Sequence, residues 1–551
     1  MLISKYISKI ALPALCLALM GMSSCSDMLD LKPQGVFSEE QLDDDSIEGI
    51  MAAAYEGLEA HFWADNNNPA FAGPSTNWIF DVRSDDAYKG GGAISMEANI
   101  HQLEISNILS DNASCFNKWE NTYYAVARCN KAILAVQSAG LENQDVLVAE
   151  LKALRAYFYF DLIRVFKAIP YFTEVDDPNK ASAHEFSREQ IFQFIKKDLE
   201  DAINVLPSKQ DKPGRINRFA AAAIHAKVSA FTSSWDEVLK YSNIVMEGPY
   251  QLYPNFLDMS KVEFNNTYES IFAIQFSTAN DRFHLNWCNL LNTTYSEGNL
   301  YGYGDDFFLA SQNLVNAFRT DNNGLPILDG SFNDVKVTVY YDGNVDPRLD
   351  FTVGRIGMPF RGHLYTSAWC RAYDLYGEYS GKKGLCEPGA HERMNEMPWG
   401  GAPLNFCLIR YADIVLLKAE ALIELNSSLD EARELINSVR RKAARSIDPN
   451  YAPVDINPNL VSYLVKEYPA EGWTQEYARK AVRMERRLEL AMEGHRWFDL
   501  VRWGVAVDVM NKYMKEEAKI RPYYEGASVS EDELFFPIPL VEQENGGDLY
   551  K

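Results

Sequence analysis

The sequence predicts a mainly α-helical protein in which repeated helix pairs form a scaffold for a half rich in irregular loops. In several long segments apolar residues recur at three- and four-residue steps, which is the period of an amphipathic helix. Small and aromatic residues alternate within these segments, a pattern typical of tetratricopeptide-like helix pairs. Between residues 250 and 405 this period gives way to short strand-like runs and to loops rich in Tyr, Trp, Gly and Asn.

The N-terminus carries a predicted export signal. Lys5 and Lys9 precede the apolar run 10–22, and GMSSC follows at 21–25. About 13 apolar residues are too few to span a bilayer but suit a secretory signal. Small residues before a cysteine resemble a bacterial lipobox, which implies cleavage of residues 1–24 and attachment of palmitate or a similar acyl chain to Cys25. A plain secretory signal with an unrelated cysteine is the alternative. Residues 25–45 then form an extended tether.

Composition restricts the classes of partner. The 551 residues carry a formal net charge of −24 and an aromatic content of 13%. An acidic surface repels phosphate backbones, so it disfavours nucleic acid and slightly favours neutral ligands over anionic ones. The cysteines show no disulfide framework and no metal-ligand spacing. The sequence leaves open whether one disulfide forms.

Four helix pairs are predicted along the chain, after a first helix at 46–62. The first pair is 115–138 with 145–168, and the second is 187–205 with 217–247. The third lies within 410–443, and the last begins in the stretch 485–504 and runs to about Tyr513. Several divergent pairs together indicate a helical-repeat scaffold more strongly than any single pair does.

The stretch 485–504, ERRLELAMEGHRWFDLVRWG, has the highest density of charge and aromatic residues. Its acids and arginines recur at helical spacing, so neighbours share a face. Gly494 is unfavourable in a continuous helix, which predicts two helices that meet there or one that is kinked. Glu489 and Glu493 could form a catalytic carboxylate pair. Because each acid has an arginine close enough to pair with it, we instead predict a scaffold held by ion pairs.

The middle of the chain predicts strands at 269–277, 336–341 and 348–355. In the sequence DGNVD, Asp342, Asn344 and Asp346 have calcium-loop spacing, but Pro347 stands where such a loop needs glycine. We therefore predict a turn between two strands and no metal site. The sequence contains no GxSxG, HExxH, Walker A or GxGxxG motif, so no catalytic residues and no cofactor are predicted.

Three groups of loop residues have the chemistry that binds a sugar. Flat aromatic rings cover the C–H face of a pyranose, and Asp, Asn or Arg side chains hydrogen-bond its hydroxyls. An aromatic side chain that instead fills a small core beneath its own loop is the alternative for each residue. Set one is Trp78, Asp85, Asp86 and Tyr88; set two is Trp287, Asn286, Asn289, Tyr295, Tyr301 and Tyr303; set three is Trp369, Arg371, Tyr373 and Tyr376.

Six segments in a fixed order resemble the SusD/RagB family of surface lipoproteins from Bacteroidetes. The resemblance extends from end to end of the chain, although the C-terminus, ENGGDLYK, differs from the usual family ending. The segments are CSDMLDLKPQG at 25–35, ELKALRAYFYFDLIRVFKAIPYF at 150–172, DPRL at 346–349, RYADIVLLKAEAL at 410–422, RRLELAMEGHRWFDLVRWG at 486–504 and FFPIPLVEQE at 535–544.

This resemblance implies a single SusD-like domain over residues 46–551, with an N-terminal part to about residue 250 and a C-terminal part from about 251. It implies a non-catalytic glycan-binding lipoprotein on the outer face of the outer membrane. There the protein would act as the lid of a SusC-like TonB-dependent transporter in polysaccharide utilisation. A peptide-binding relative of RagB type is the alternative, and a surface glycoside hydrolase is a third. Because binding loops vary within the family, no ligand residue transfers by motif, and the identity of the glycan stays open.

Overall fold

The computed structural model of the chain describes residues 44–59, 73–74, 77–277, 292–295, 304–387, 402–448 and 454–550. The predicted signal peptide, Cys25 and most of the tether lie outside these residues. Within the described part, no helix is both long enough and apolar enough to cross a membrane. Four of the cysteines that the structure describes are free thiols: Cys115, Cys129, Cys370 and Cys407.

Helices dominate the described chain. In order they are α1 (Asp44–Tyr55), α2 (Ile79–Val82), α3 (Ala98–Glu104), α4 (Ala113–Ala139), α5 (Gln144–Val165), α6 (Arg188–Val205), α7 (Arg218–Phe231), α8 (Trp235–Met246), α9 (Gln312–Ala317), α10 (Arg348–Thr352), α11 (Tyr373–Tyr376), α12 (Tyr411–Glu424), α13 (Leu429–Arg445), α14 (Gln475–Leu490), α15 (Arg496–Arg502), α16 (Ala506–Glu517) and α17 (Leu540–Gly546). This content confirms the predicted mainly α class.

The strands are short and form small sheets. They are β1 (Ala87–Gly90), β2 (Ser270–Ile274), β3 (Phe307–Ala310), β4 (Arg319–Thr320), β5 (Asn344–Val345), β6 (Val353–Arg355), β7 (Pro359–Phe360), β8 (His363–Leu364), β9 (Tyr379–Gly381), β10 (Phe406–Arg410) and β11 (Ser462–Tyr463). The antiparallel pairs are β1–β3, β2–β10, β4–β5, β6–β9 and β7–β8, and β11 runs parallel to β5. Because β3 also packs against β9, the ends of β1, β3 and β9 lie near one another.

The long helices pack in chain order and form the scaffold. Consecutive helices pack against each other from α4 through to α8, and α12 then packs against α8, α13 and α14. Local signals set several boundaries: the Asn112 side chain caps α4, and Ser187 with Gln190 forms a capping box at α6. Gly140 ends α4 in the left-handed conformation that glycine adopts without strain. The predicted helix-pair scaffold is therefore present.

Three predicted elements differ from the structure. The segment 217–247 is two helices, because the chain turns at residues 232–234, where Ser233 has a φ of 52°. No strand forms at 336–341, since the Val337 amide donates to the Asn316 side chain and its carbonyl accepts from Tyr379. Residues 348–352 are helical, and only 353–355 form a strand.

Candidate functional site

The stretch 485–504 lies in the core and holds the scaffold together. Glu489 accepts hydrogen bonds from Arg410 at 2.7 Å, Lys442 at 2.6 Å and Arg348 at 3.1 Å. Glu493 accepts from the Arg410 Nε at 2.7 Å. Every one of these side chains is at least mostly buried. The prediction of an ion-paired scaffold is confirmed, but the cations that pair with these two acids come from other elements and not from arginines within the stretch.

The protonation of these acids also argues against acid–base chemistry. Burial opposes ionisation of Glu493, but Arg410 and Lys383 outweigh it and lower its pKa to about 2. The pKa of Glu489 is likewise lowered, because Lys442, Arg410 and Arg348 outweigh the effect of burial. A general acid needs a pKa near the working pH. These carboxylates therefore stay ionised and structural.

The first predicted set is buried rather than exposed to a ligand. Trp78 has no exposed surface and packs on Phe308, with ring centroids 5.0 Å apart. Tyr88 is also fully buried, and its hydroxyl donates to Glu517 at 3.0 Å. A sugar cannot stack on rings that solvent does not reach.

The two acids of that set are bound by arginines of the stretch 485–504. Asp85 pairs with Arg496 at 2.8 Å and with Arg487 at 3.1 Å, and Asp86 pairs with Arg487 at 2.7 Å. Burial alone would raise the pKa of Asp85, but the two arginines lower it to about 2. The expectation of sugar contact for Trp78, Asp85, Asp86 and Tyr88 is thus corrected: this set joins the loop half to the scaffold.

Tyr295 of the second set contacts Trp369 and Arg371 of the third set. Trp287 and Tyr301 lie outside the described residues, whereas Tyr295 is described and partly exposed. The Tyr295 amide donates to the Trp369 carbonyl at 3.0 Å. The guanidinium of Arg371 lies 5.1 Å from the centre of the Tyr295 ring, within reach of a cation–π contact. Loops that are about 75 residues apart in sequence therefore form one surface.

Residues of the third set divide between a small core and this surface. Trp369 is only 9% exposed and packs with Phe360 and Tyr365. Tyr376 is 1% exposed and packs against Tyr523. The burial of Tyr376 corrects the expectation that it contacts a ligand. Trp369 has little exposed surface left for a ligand to contact. Tyr373, by contrast, is 47% exposed.

Two aspartates that the sequence analysis did not select organise this surface. Asp305 accepts from the Arg371 Nη1 at 2.8 Å. Asp306 is buried and accepts from the Arg371 amide at 2.8 Å and from the Ser380 hydroxyl at 3.0 Å. Its backbone carbonyl accepts from Gly91, and its amide donates to Thr293. Asp306 therefore connects four chain segments at one point.

The turn between β1 and α3 borders the same surface as the loops of Tyr295 and Arg371. A Cβ built on Gly92 would lie 2.9 Å from the Arg371 Nε, so this position leaves room for the arginine. The buried Lys89 donates to the Ala93 carbonyl at 2.9 Å and also to the Met96 carbonyl, which holds the turn in shape. Burial raises the pKa of Glu97, and Asp305 adds to this increase. The turn thus lies beside Asp305 and Arg371.

We call the surface formed by Tyr295, Asp305 and Arg371, together with the exposed Tyr373 two residues further along the chain, the loop junction. It presents two partly exposed aromatic rings, a carboxylate and a guanidinium. Among the described residues, the side chain of Arg371 donates only through Nη1, so its Nε and Nη2 remain to donate to a ligand. Such a combination of ring faces, donors and acceptors suits a polyhydroxylated ring.

Two residues of the calcium-like sequence at 342–346 are engaged within the fold. Asp346 is buried and paired with Arg348 at 2.7 Å, and Asn344 lies in β5. In the described part of the chain, no group of three or more His, Cys, Asp or Glu side chains is arranged to hold a metal ion.

A model described as the SusD family matches residues 268–551, which is more than half of the chain. A second model, described as starch-binding associating with outer membrane, matches residues 64–230. A SusD-like protein of Bacteroides ovatus is 25% identical over 517 residues, covering 87% of this chain and 80% of that protein. SusD-like protein P38 of Formosa agariphila is 24% identical, covering 89% of this chain and 90% of that relative.

Solved structures show the same fold. A SusD superfamily protein from Bacteroides vulgatus superposes with a TM-score of 0.70 at 20% identity, covering 92% of this chain and 98% of that one. Surface glycan-binding protein A from Bacteroides thetaiotaomicron, solved in complex with laminarihexaose, has a TM-score of 0.68 at 20% identity. The superposition covers 92% of this chain and 99% of that protein.

Proposed function

We propose, from the premise that this chain belongs to the SusD family, that it captures oligo- or polysaccharide at the cell surface. In this proposal Cys25 carries the lipid that anchors it to the outer membrane. The protein then acts as the lid of a SusC-like TonB-dependent transporter and passes the glycan on for uptake. Its relatives are SusD-like proteins and one structural neighbour is a surface glycan-binding protein, which supports a binding protein and not an enzyme.

The loop junction is the observation that carries this proposal. Tyr295 and Tyr373 offer ring surface, and Arg371 and Asp305 offer a donor and an acceptor beside them. Asp306 holds the backbone of Arg371, and the Tyr295 amide is bound to the Trp369 carbonyl, so the loops that carry these side chains are ordered before a ligand binds. One structural neighbour is a laminarin-binding SusD-like protein, and another was solved in complex with laminarihexaose. Both support a glycan as the ligand class.

Charge supports a neutral glycan over an acidic one at this surface. The chain has a net charge of −24, and Asp305 neutralises Arg371 within the junction. Two lysines that could have attracted an acidic sugar are buried: Lys382 pairs with Asp455 at 3.0 Å, and Lys383 pairs with Glu493. An anionic ligand would therefore meet a repulsive field with little local compensation.

An affinity-gel and glycan-array screen tests the proposal, using protein that lacks residues 1–25. Every described contact lies within residues 44–550, so this truncation removes none of them. We expect saturable binding to one class of neutral polysaccharide without release of reducing ends. Tyr373→Ala should weaken binding about tenfold or more, because stacked aromatic contacts carry much of such binding.

Tyr340→Ala is the matched control, since Tyr340 is 92% exposed and lies outside the loop junction. It should bind the glycan as the wild type does. Binding of peptides but no glycan would replace the proposal by the peptide-binding alternative. Release of reducing ends from the bound polysaccharide would identify a hydrolase instead.

A further inference from the structure

A cavity that shares no lining residue with the loop junction lies between the last scaffold helices and the loop 328–334. Its volume is about 590 Å³, and its walls come from α14, α15, α16 and that loop. This volume lies within the range of about 300–1,000 Å³ typical of small-molecule sites. Trp503, Phe332 and Tyr513 supply aromatic surface, and Arg483 and Lys512 supply positive charge. We call this cavity the helix groove.

Arg483 is the unusual residue of the helix groove. Its Nε is buried and has no hydrogen-bond partner among the residues that the structure describes. Glu420 and Glu424 act on its charge from nearby, but these acids are paired with Arg502 and Arg479. The guanidinium lies 4.9 Å from the centre of the Trp503 ring. Neighbouring arginines are paired: Arg479 with Glu424 at 2.7 Å, and Arg502 with Glu420 at 2.7 Å. A buried donor without a partner is costly, which indicates that a ligand supplies the acceptor.

Other polar groups of the groove are also oriented as donors. The Asn313 carbonyl oxygen accepts from Arg487 at 2.8 Å, and the Asn333 carbonyl oxygen accepts from Asn316 at 2.6 Å. Both side-chain NH₂ groups are therefore left to donate. Ligands with many acceptor oxygens, such as carboxylates and hydroxyls, satisfy such a surface.

Charge within the groove also favours an anion. Of its acids, Asp85 is neutralised by Arg487 and Arg496, and Glu516 pairs with Lys519 at 2.5 Å. Asp334 is exposed on the rim, whereas Arg483 lies deeper. Arg483 and Lys512 thus form a positive region on a chain whose net charge is −24.

We propose that the helix groove is a second ligand site, which binds a carboxylate-bearing saccharide such as a short uronic-acid oligomer. The guanidinium of Arg483 binds the carboxylate, as arginine commonly does with two parallel hydrogen bonds. Asn313 and Asn333 donate to ring hydroxyls, and Phe332 offers apolar surface to the ring. This inference goes beyond the proposed function and does not depend on the loop junction.

Calorimetric titration of the protein without residues 1–25 tests the inference with α-1,4-linked trigalacturonate as the probe. We expect binding that weakens as salt is added, and much weaker binding of the neutral galactotriose. Arg483→Met should reduce the affinity for trigalacturonate about tenfold or more, because a charge-assisted contact is lost. Arg479→Met, one turn earlier on α14 and outside the groove, is the matched control and should bind normally.

A second variant distinguishes loss of binding from a folding defect in Arg483→Met. Lys512 is exposed on the rim, so Lys512→Met should fold normally and weaken trigalacturonate binding severalfold. Absence of binding to the wild type would overturn the inference, as would unchanged binding by both variants. Equal, Arg483-dependent binding of triglutamate would overturn the saccharide class and identify an acidic-peptide site. Loss of binding in Tyr373→Ala but not in Arg483→Met would place the acidic sugar at the loop junction, which overturns this inference alone.

Discussion

At the scale of single residues, Asp306 is the side chain on which the loop junction depends. It contacts the segments of Gly91, Thr293, Arg371 and Ser380 and is itself buried. Burial raises its pKa to about 7, because the charged form is poorly solvated. The contribution of Asp306 to the free energy of unfolding therefore depends on pH below about 7.

Replacing Asp306 with Asn should remove this pH dependence. In the unfolded chain an aspartate titrates near pH 3.9, about three units below Asp306 in the folded protein. Between these values the folded state holds a proton that the unfolded state has released. The contribution of Asp306 to the free energy of unfolding therefore falls as pH rises from about 4 to about 7, by up to about 1.4 kcal/mol per unit.

Urea unfolding of wild type and Asp306→Asn between pH 4.5 and 8 measures this contribution. The difference in unfolding free energy should decrease with pH and become level above about pH 7. Asp374→Asn alters an exposed carboxylate of the neighbouring loop and should show no such trend. A wild-type advantage that is constant over the whole range would contradict the account.

At the scale of elements, the break between α14 and α15 joins the scaffold to the loop half. Gly494 has a φ of 81°, and its amide donates to Asp81 at 2.6 Å. A Cβ at this position would lie 2.6 Å from the Asn77 carbonyl oxygen, closer than real contacts allow. Glycine is therefore required both by the backbone conformation and by the approach of the segment 77–81.

Gly494→Ala should destabilise the protein by more than the conformational cost alone. A left-handed conformation costs a non-glycine residue about 1–2 kcal/mol, and the clash with Asn77 adds to it. Gly504→Ala provides the control, since Gly504 has a φ of 66° and open space around it. Thermal unfolding should show a clearly larger loss for Gly494→Ala. Equal losses would mean that the contact with Asn77 has no energetic weight.

Elements defined by local patterns could be predicted from the sequence, whereas the site could not. The charge density of 485–504 predicted an ion-paired core, and Gly494 predicted the break. The cations that pair with Glu489 come from other elements, Arg348, Arg410 and Lys442, and helical spacing within the stretch does not predict them. Trp78 met the same local criteria as a ligand residue, but Phe308, over 200 residues away, helps to bury it. The contact of Tyr295 with Arg371 is likewise tertiary. Aspartates in β-strand flanks, such as Asp306, carry no sequence signal of their own.

At the scale of the whole molecule, one scaffold supports the proposed glycan surface, and a tether would connect it to the membrane. The helices before and after residue 250 share a core, since α8 packs against α12. The division into an N-terminal and a C-terminal part stays a prediction of sequence organisation. The stretch that most strongly identifies the family, 486–504, contacts the buried first set and not the exposed rings.

Substituting the predicted lipidation site should release the protein from the membrane. Cys25→Ala removes the thiol that the acyl chain would occupy, and the acyl chains supply the apolar anchor. In the native host, we expect loss of radiolabelled palmitate incorporation and a shift from the outer-membrane fraction to the soluble fraction. Cys370→Ala controls for effects of removing a thiol elsewhere. Continued membrane association without the label would point to a different anchor.

A structure of the protein with an oligosaccharide from the screen tests the central claim most directly. The account predicts that the neutral glycan lies on the loop junction, with a ring against Tyr373 and a hydroxyl within hydrogen-bond distance of Arg371. Glycan bound elsewhere, with Tyr295, Arg371 and Tyr373 left in solvent, would contradict it.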